Sequence, residues 1–252
     1  MSPLKDPYCF DDADILKNCA NIRTKNALQQ AEADLTKHTL AIAYVQKFDQ
    51  FDADALKELN RIIFADLYPW AGEYRTIQMS KPEVILAYDT VHYSLPGKIK
   101  KEVNDLAKQI HKLKLTTPED FVFRLTRLTA ALWQVHPFRE GNTRTIVVFS
   151  VLLAQSFGIE VNYELFEKHA SYTRNALVWG SQGIYSKFEY LENIYRDALG
   201  YKKDSANQEP VATDSDGYTM IDGYYVADLD ASPHTYVENG QSEDEDKSAG
   251  VS

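Results

Sequence analysis

Nine consecutive residues, His136 to Arg144, bring a base, a carboxylate, an amide and a cation together in the sequence HPFREGNTR. A histidine side chain ordinarily changes its charge near neutral pH, so His136 is a residue type suited to removing a proton from an attacking hydroxyl. The carboxylate of Glu140 suits Mg²⁺, which takes one or two carboxylates together with phosphate oxygens. Arg144 supplies a fixed cation of the kind that pairs with phosphate. This combination predicts nucleotidyl or phosphoryl transfer.

The nine residues lie at the joint between two predicted helices. Apolar residues recur at helical intervals before them, and residues 145–154 after them are apolar nearly all round, which is typical of a helix buried on every side. Pro137 lacks an N–H and pushes His136 away from the α region, so the first helix should end at about His136. Gly141 and Asn142 then begin the second helix, and Asn is a favoured N-cap.

The start of this second helix predicts an anion site over residues 141–145. The N–H groups of a first helical turn have no intrahelical partner, and the helix dipole adds positive potential there. The candidate nucleotide-binding residues at this site are Gly141, Asn142, Thr143, Arg144 and Thr145.

The motif resembles the signature of the Fic (Fido) family, His-Pro-Phe-x-Asp/Glu-Gly-Asn-Gly/Lys-Arg-x-x-Arg, at seven of its specified positions. The resemblance implies an all-α fold, a Fic helical core with a small β-hairpin flap. It also implies transfer of AMP from ATP to a Ser, Thr or Tyr hydroxyl of a target protein. In that reaction His136 would be the general base, Glu140 would be the Mg²⁺ ligand, and Gly141, Asn142 and Arg144 would hold the phosphates.

Two positions depart from the family signature. Thr143 stands where the family has its second glycine, and it either narrows the pocket or donates its hydroxyl to a phosphate. Val147 stands where the family has its second arginine, which helps to fix the terminal phosphate of ATP, and a valine supplies no charge. The alternative function is therefore an ATP-binding but catalytically impaired module that acts by binding a host signalling protein.

A second segment, WAGEYR from Trp70 to Arg75, again resembles the family, where it leads into the flap. Alternation from Tyr74 to Gln78 and the run 84–88 predict two short strands around residues 80–83. By resemblance, the flap pairs with an extended segment of the target through strand addition; an ordinary surface hairpin is the alternative. The candidate docking residues are Ile77, Met79, Ser80, Lys81 and Pro82.

Further helices are predicted by apolar periodicity and by start and stop residues. One begins at Thr24 and continues through Leu35, and the others cover about residues 54–67, 95–113, 117–136, 163–179 and 188–199, with Gly158 as a stop after the motif helix. In the family the helix after that stop lies beside the adenine. Tyr172 and Asn175 are therefore candidates for contacts with the base, or plain packing residues.

Composition excludes several classes of protein. The chain has 252 residues, 44% of them hydrophobic, which supports a substantial core. Neither part of the chain has the basic face that nucleic acid requires. Cys9 and Cys19 are too few for a disulfide framework and show no metal spacing. No apolar run approaches 18 residues and no leader is visible, so we expect a soluble protein without a transmembrane segment.

The charge separates the chain into two parts. Of the net charge of −10, residues 201–252 carry −9, from 12 acidic residues against 3 lysines. We expect residues 1–200 to form the Fic domain. We expect residues 201–252 to form an acidic linker or tail that leads to further domains absent from this chain. The tail tyrosines 218, 224, 225 and 236 are either tyrosine-kinase substrates or parts of a plain acidic spacer.

This arrangement is similar to that of the type IV secretion effectors of Bartonella, which carry a Fic domain near the N-terminus. The resemblance implies a secreted effector in a host-pathogen setting, located in the bacterial cytoplasm and then in the host cell cytoplasm. Many Fic proteins inhibit themselves through a helix with the sequence Ser/Thr-x-x-x-Glu-Gly/Asn, which this chain lacks. Inhibition would then come from a separate small inhibitory protein, or be absent.

Overall fold

The computed structural model describes residues 6–201 and consists of helices with one small hairpin. This confirms the predicted fold class. The helices are α1 Lys25–Ala43, α2 Ala53–Phe64, α3 Pro96–Ile110, α4 Pro118–Val135, α5 Asn142–Ser156, α6 Glu164–Lys168, α7 Ala170–Gly180 and α8 Glu189–Ala198. The strands are β1 Ser80–Pro82 and β2 Thr90–His92, which pair antiparallel. The tail tyrosines and the predicted linker lie outside the described residues.

Local signals set several helix boundaries. Asp52 caps α2 by accepting hydrogen bonds from the N–H groups of residues 54 and 55, both at 3.0 Å. Thr117 caps α4 by accepting from the Asp120 N–H, and Pro118 occupies the first helical position. After α5, Gly158 has φ +78°, a left-handed conformation that glycine adopts without strain.

Helix α5 lies at the centre of the core. Every residue from Thr145 to Ala154 is buried, as its uniformly apolar sequence predicts. Helices α2 and α4 pack against it, and α1, α3, α7 and α8 pack outside these two. The start of α5 is therefore held by the best-packed part of the molecule.

Three sequence predictions differ from the structure. The helix predicted over residues 163–179 is broken at His169, whose φ of −113° and ψ of 42° separate α6 from α7. Asn142 is the first residue of α5 and not its cap, which is Gly141. The predicted strands were misplaced: the predicted turn contains β1, and the predicted second strand contains a 3₁₀ turn, Val84–Leu86.

The flap, defined here as residues 77–94, bends at this 3₁₀ turn for a local reason. The carbonyl of Glu83 accepts hydrogen bonds from the N–H groups of both Leu86 and Tyr88, at 3.0 and 2.9 Å. Ala87 and Tyr88 then adopt positive φ values of 53° and 69°, which reverse the chain into β2. Within residues 6–201, no helix is both long and apolar enough to cross a membrane.

Candidate active site

His136 is the residue at which α4 ends. It is the C-cap, with φ 50° and ψ 61°, so Pro137 does exclude it from the right-handed helical region. The ring is buried, stacks on Tyr93 with 3.7 Å between ring centroids, and meets Trp133 edge-on at 5.5 Å. Its Nδ1 lies 3.3 Å from the Trp133 carbonyl oxygen. Because a carbonyl only accepts, this contact places the proton on Nδ1, and in a neutral ring Nε2 then carries the basic lone pair.

The loop between α4 and α5 is closed by Asn142. Its side-chain oxygen accepts from the Phe138 N–H at 2.9 Å, and its side-chain nitrogen donates to the Phe138 carbonyl at 2.8 Å. Both bonds are buried, so the side-chain amide of Asn142 stabilises the conformation of the loop. Asn142 therefore positions the site through its side chain, and only its backbone N–H is directed as a first-turn donor.

Gly141 is required by both conformation and space. Its φ is +76°, and a Cβ built there would lie 2.1 Å from the ring of Phe64 on α2. Asn60, one turn earlier on α2, donates to the Glu140 carbonyl at 3.4 Å and to the Thr145 hydroxyl at 3.1 Å. The side-chain oxygen of Asn60 accepts from the Gly72 N–H at 2.7 Å. Helix α2 thus fixes the start of α5.

Two of the residues predicted to contact phosphate, Thr145 and Thr143, already form hydrogen bonds within the protein. Thr145 accepts from Asn60, and its N–H donates to the Gly141 carbonyl at 3.0 Å in the first helical bond of α5. The N–H groups left for an anion are accordingly those of residues 142–144. The Thr143 hydroxyl accepts the indole N–H of Trp133 at 2.9 Å. Since one lone pair is used in this way, the Thr143 proton remains available as a donor.

Arg144 projects from α5 toward α1. It forms an ion pair with Glu32, contacts the Thr36 hydroxyl at 3.3 Å and lies 4.7 Å from the centroid of the Phe64 ring. The Tyr68 hydroxyl donates to the same Glu32 carboxylate. A phosphate group that binds Arg144 must therefore share or displace Glu32.

The carboxylate of Glu140 lies at the end of the loop and is partly exposed. One oxygen accepts from the Gly141 N–H at 3.0 Å, and the other lies 3.9 Å from the Arg139 guanidinium. Among residues 6–201, no three His, Cys, Asp or Glu side chains are grouped as a metal cage would require. This donor set suits an ion that arrives with its substrate and takes one carboxylate, as Mg²⁺ does with nucleotides.

The N-terminal segment packs beneath this loop. Asp6 accepts from the Arg139 guanidinium at 2.9 Å in a buried ion pair. Cys9 donates its thiol proton to the same carboxylate at 3.4 Å. Burial, followed by the nearby Asp6 charge, raises the pKa of Cys9 to about 12.

The flap and α7 face each other across a buried ion pair. Arg174 donates two hydrogen bonds to Glu83, at 2.7 and 3.0 Å, and the Glu83 side chain is 0% exposed. Next to it, the side-chain oxygen of Asn175 is buried with no hydrogen-bond partner in the described part of the chain. Tyr172 instead donates its hydroxyl proton to the Tyr190 carbonyl at 3.0 Å, across to α8.

The predicted docking residues lie in the first half of the flap. Met79, Ser80 and Lys81 are buried, whereas Ile77 and Pro82 are partly exposed. Their assignment as docking residues, like the nucleotide and metal assignments, stays a prediction.

Sequence analysis missed four residues that shape this site. They are Asp6, Glu32, Asn60 and Arg75, which lie 133, 112, 80 and 61 positions from their partners. Asn60 gave one signal, a polar residue on the apolar face of α2 beside Leu56, Leu59 and Ile63. Arg75 lies in the segment WAGEYR, whose family resemblance assigned it no role in the site, and Asp6 and Glu32 carry no local pattern that points to the motif.

Comparisons with known proteins place the site in context. The sequence model of the Fic/DOC family matches residues 50–154. "Probable protein adenylyltransferase y4lH" of Sinorhizobium fredii is 32% identical over 168 residues, 65% of this chain and 83% of the relative. The protein adenylyltransferase VbhT of Bartonella schoenbuchensis is 28% identical over 171 residues, 65% of this chain and 34% of that protein. The chain thus spans most of the first relative and about a third of the second.

Solved structures share the fold. BepC of Bartonella tribocorum, a VirB-translocated effector solved with bound AMPPNP, superposes with a TM-score of 0.64 at 22% identity, covering 76% of this chain and 95% of that one. The Fic domain of a VirB-translocated effector of Bartonella quintana, solved with bound ADP, gives 0.64 at 21% identity, covering 76% and 93%.

Proposed function

This chain belongs to the Fic/DOC family, and on that basis we propose that it is a protein adenylyltransferase that moves AMP from ATP to a Ser, Thr or Tyr hydroxyl of a target protein. One observation carries the proposal beyond the family. The left-handed turn at His136 and the loop closed by Asn142 bring the His136 imidazole near the first turn of α5, which supports its role as the base beside N–H groups and Arg144 that would hold phosphates.

The reaction follows from these positions. His136 Nε2 takes the proton of the target hydroxyl, and the hydroxyl oxygen forms a bond with the α-phosphorus of ATP. The bond from that phosphorus to the bridging oxygen breaks, and pyrophosphate leaves with the electron pair. The N–H groups of residues 142–144 and the Thr143 hydroxyl stabilise the charge on the phosphates. Glu140 would hold Mg²⁺, which neutralises phosphate charge when bound.

The proposal is tested by incubating the protein with α-labelled ATP, Mg²⁺ and cell lysate. We expect a labelled protein band with wild type and none with His136→Ala, because the variant lacks the base. His111→Ala is the matched control, since His111 is exposed at the end of α3, outside the site. Wild type that labels nothing, at high enzyme concentration and with Mg²⁺ or Mn²⁺, would contradict the proposal.

A second candidate function rests on Val147. Its side chain belongs to the hydrophobic core and is 5% exposed, so no cation stands where the family has its second arginine. The protein would then bind ATP but turn it over slowly, and act by binding a host signalling protein. Loss of one charge-assisted contact costs about 1.5–3 kcal/mol, roughly tenfold to a hundredfold in rate.

Thr143→Gly combined with Val147→Arg separates the two functions. A gain in AMP transfer of tenfold or more, on the scale of one charge-assisted contact, would show that the natural residues suppress turnover. The thermal midpoint must be measured alongside, because Val147→Arg introduces a cation at a buried position. A folded double variant with unchanged transfer would exclude these two residues as the cause.

The partners we propose follow from the family. An extended target segment would pair with the flap along Ile77, Met79, Ser80, Lys81 and Pro82. Tyr172 and Asn175 would contact the adenine. Asn175 has the stronger support, because its side-chain oxygen has no hydrogen-bond partner among residues 6–201, whereas the Tyr172 hydroxyl already donates to the Tyr190 carbonyl. We also propose that a separate small protein inhibits this chain, and that the chain is exported into a host cell. Purification of the chain with its bound proteins from its native cell tests for the inhibitor.

A further inference from the structure

Arg75 is a buried arginine whose guanidinium, within the described part of the chain, donates only to backbone carbonyl oxygens. The residue is 2% exposed. Nε donates to the His136 carbonyl at 2.7 Å, Nη1 to Ile77 at 2.6 Å, and Nη2 to Ser94 at 2.5 Å and to Val135 at 3.3 Å. Within residues 6–201 no carboxylate forms an ion pair with it. Its hydrogen bonds in this part of the chain therefore all go to carbonyl oxygens, and Tyr93, Tyr8 and Glu102 add a weaker stabilisation of its charge.

Burying the positive charge of Arg75 is unfavourable unless a local electrostatic field stabilises it. Burial lowers the pKa of Arg75 to about 10, which still leaves it protonated at neutral pH. Val135 and His136 are the last residues of α4 and its cap, so their carbonyls lie at the negative end of the helix dipole. The cation is thus held by the terminus of the helix that carries the candidate base.

Arg75 also holds the peptide groups on both sides of the strained residue. A left-handed conformation costs a non-glycine residue about 1–2 kcal/mol. The Arg75 guanidinium donates to the Val135 carbonyl before His136 at 3.3 Å and to the His136 carbonyl after it at 2.7 Å, and the Arg75 backbone N–H donates to the Pro137 carbonyl at 2.8 Å. Because φ and ψ of His136 set the direction of its Cβ, the bonds to the Val135 and His136 carbonyls constrain how the side chain leaves the backbone, and Tyr93 and Trp133 then hold the ring itself.

The other two partners of Arg75 are the two ends of the flap. Ile77 precedes β1 and Ser94 follows β2. One rigid planar group therefore connects the base to both ends of the hairpin. A guanidinium can do this because its five N–H donors lie in a fixed fork, whereas a lysine supplies a single charged point.

We propose that Arg75 is a positioning residue that fixes His136 relative to the flap, and so aligns the base with the hydroxyl of a target segment docked there. This inference rests on the proposed function. Misplacement of reacting groups by about 1 Å can cost on the order of a hundredfold in rate. The N–H groups of residues 142–144 do not contact Arg75, so ATP binding should be independent of it.

The test compares Arg75→Lys with wild type in two measurements. In hydrogen–deuterium exchange, we expect segments 77–94 and 135–138 to exchange faster together, by tenfold or more. In AMP transfer to the lysate band that wild type labels, we expect the rate to fall about a hundredfold while the KM for ATP changes by less than twofold. A purely structural defect would also disturb ATP binding and regions far from the flap.

Arg127→Lys is the matched control. It makes the same chemical change on α4, where Arg127 pairs with Glu192 of α8 at 2.6 Å, away from the flap. If Arg75→Lys fails to fold, Arg75→Gln replaces it, because a neutral amide can serve one or two of the carbonyls without a buried charge.

Three results would overturn the inference: exchange that rises in only one of the two segments, exchange equal to that of Arg127→Lys, or an unchanged transfer rate. Wild type that labels nothing contradicts the proposed function and with it the catalytic part of this inference. The exchange measurement then still decides whether Arg75 links the base loop to the flap.

Discussion

At the scale of single residues, the motif divides into groups that shape the loop and groups that face outward from it. Asn142 and Gly141 belong to the first kind. Asn142 closes the loop with two buried hydrogen bonds, and Gly141 leaves space for the ring of Phe64 because it has no side chain. Thr143 and Arg144 belong to the second, although each already has a protein partner, Trp133 and Glu32. Motif residues of both kinds look alike in a sequence signature.

Gly141→Ala tests the shaping group. We expect it to lower the free energy of unfolding by about 2–5 kcal/mol, from a left-handed alanine and from overpacking against Phe64. Gly97→Ala is the control, since Gly97 lies in α3 with nothing within 4 Å of a built Cβ. It should be neutral or slightly stabilising. Urea unfolding of both variants measures the difference, and equal stabilities would contradict the packing seen at Gly141.

Arg144 and Glu32 test the outward-facing group. Arg144→Ala should weaken Mg²⁺–ATP binding about tenfold to a hundredfold, the value of a charge-assisted hydrogen bond. Glu32→Gln should strengthen it, because the phosphate no longer competes with a carboxylate. His136→Ala should leave the affinity nearly unchanged, since a base acts on the incoming hydroxyl.

Calorimetric titration measures these affinities. Glu73→Gln serves as a control that removes an exposed carboxylate, paired with Lys57 at 3.4 Å, outside the site. Equal affinities for wild type and Arg144→Ala would show that Arg144 does not contribute to phosphate binding.

At the scale of elements, sequence patterns predicted the helices well and the flap poorly. Helices α2 to α5 follow from apolar spacing, from the start signal at Thr117 and Pro118, and from Pro137, because each signal acts within a few residues. The cap of α2 at Asp52 was not predicted. The flap could not be predicted in this way. Its strands are only three residues long, and the Glu83 side chain that anchors it pairs with Arg174, 91 positions along the chain. The residues that hold the motif from outside were missed for the same reason.

The packing of the N-terminal segment can be tested through the reactivity of Cys9. With the pKa of Cys9 raised to about 12, little thiolate forms at pH 8, whereas Cys19 is exposed. A disulfide-exchange reagent should therefore react rapidly with one thiol per native chain and with two after unfolding. In a Cys19→Ser background, Asp6→Asn should make Cys9 react at least tenfold faster. Two equally fast thiols in the native protein would contradict the burial of Cys9.

At the scale of the whole molecule, the described helices form one continuous hydrophobic core from Leu28 to Leu199. We propose residues 1–200 as the Fic domain and residues 201–252 as an acidic linker. The boundary follows from composition, because the charge of −9 belongs to the second part.

A chain that ends after Tyr201 tests this boundary. We expect its thermal midpoint to lie within about 3 °C of the full chain, since 1 kcal/mol shifts a domain of this size by about 2–4 °C. Calorimetry of both chains makes the comparison. A midpoint lowered by much more would mean that the last 51 residues contribute to the core.

The ion pair between Asp6 and Arg139 has a consequence for how the protein is made. It joins residues 133 positions apart, and at synthesis rates of about 5–20 residues per second the ribosome needs roughly 7–27 s to cover that distance. Throughout this interval the nascent chain has Asp6 but no Arg139. The ion pair beneath the motif loop therefore forms after most of the domain has been translated, and a chain that stalls before residue 139 must hold its first segment through other contacts, such as that of Tyr8 with Trp70.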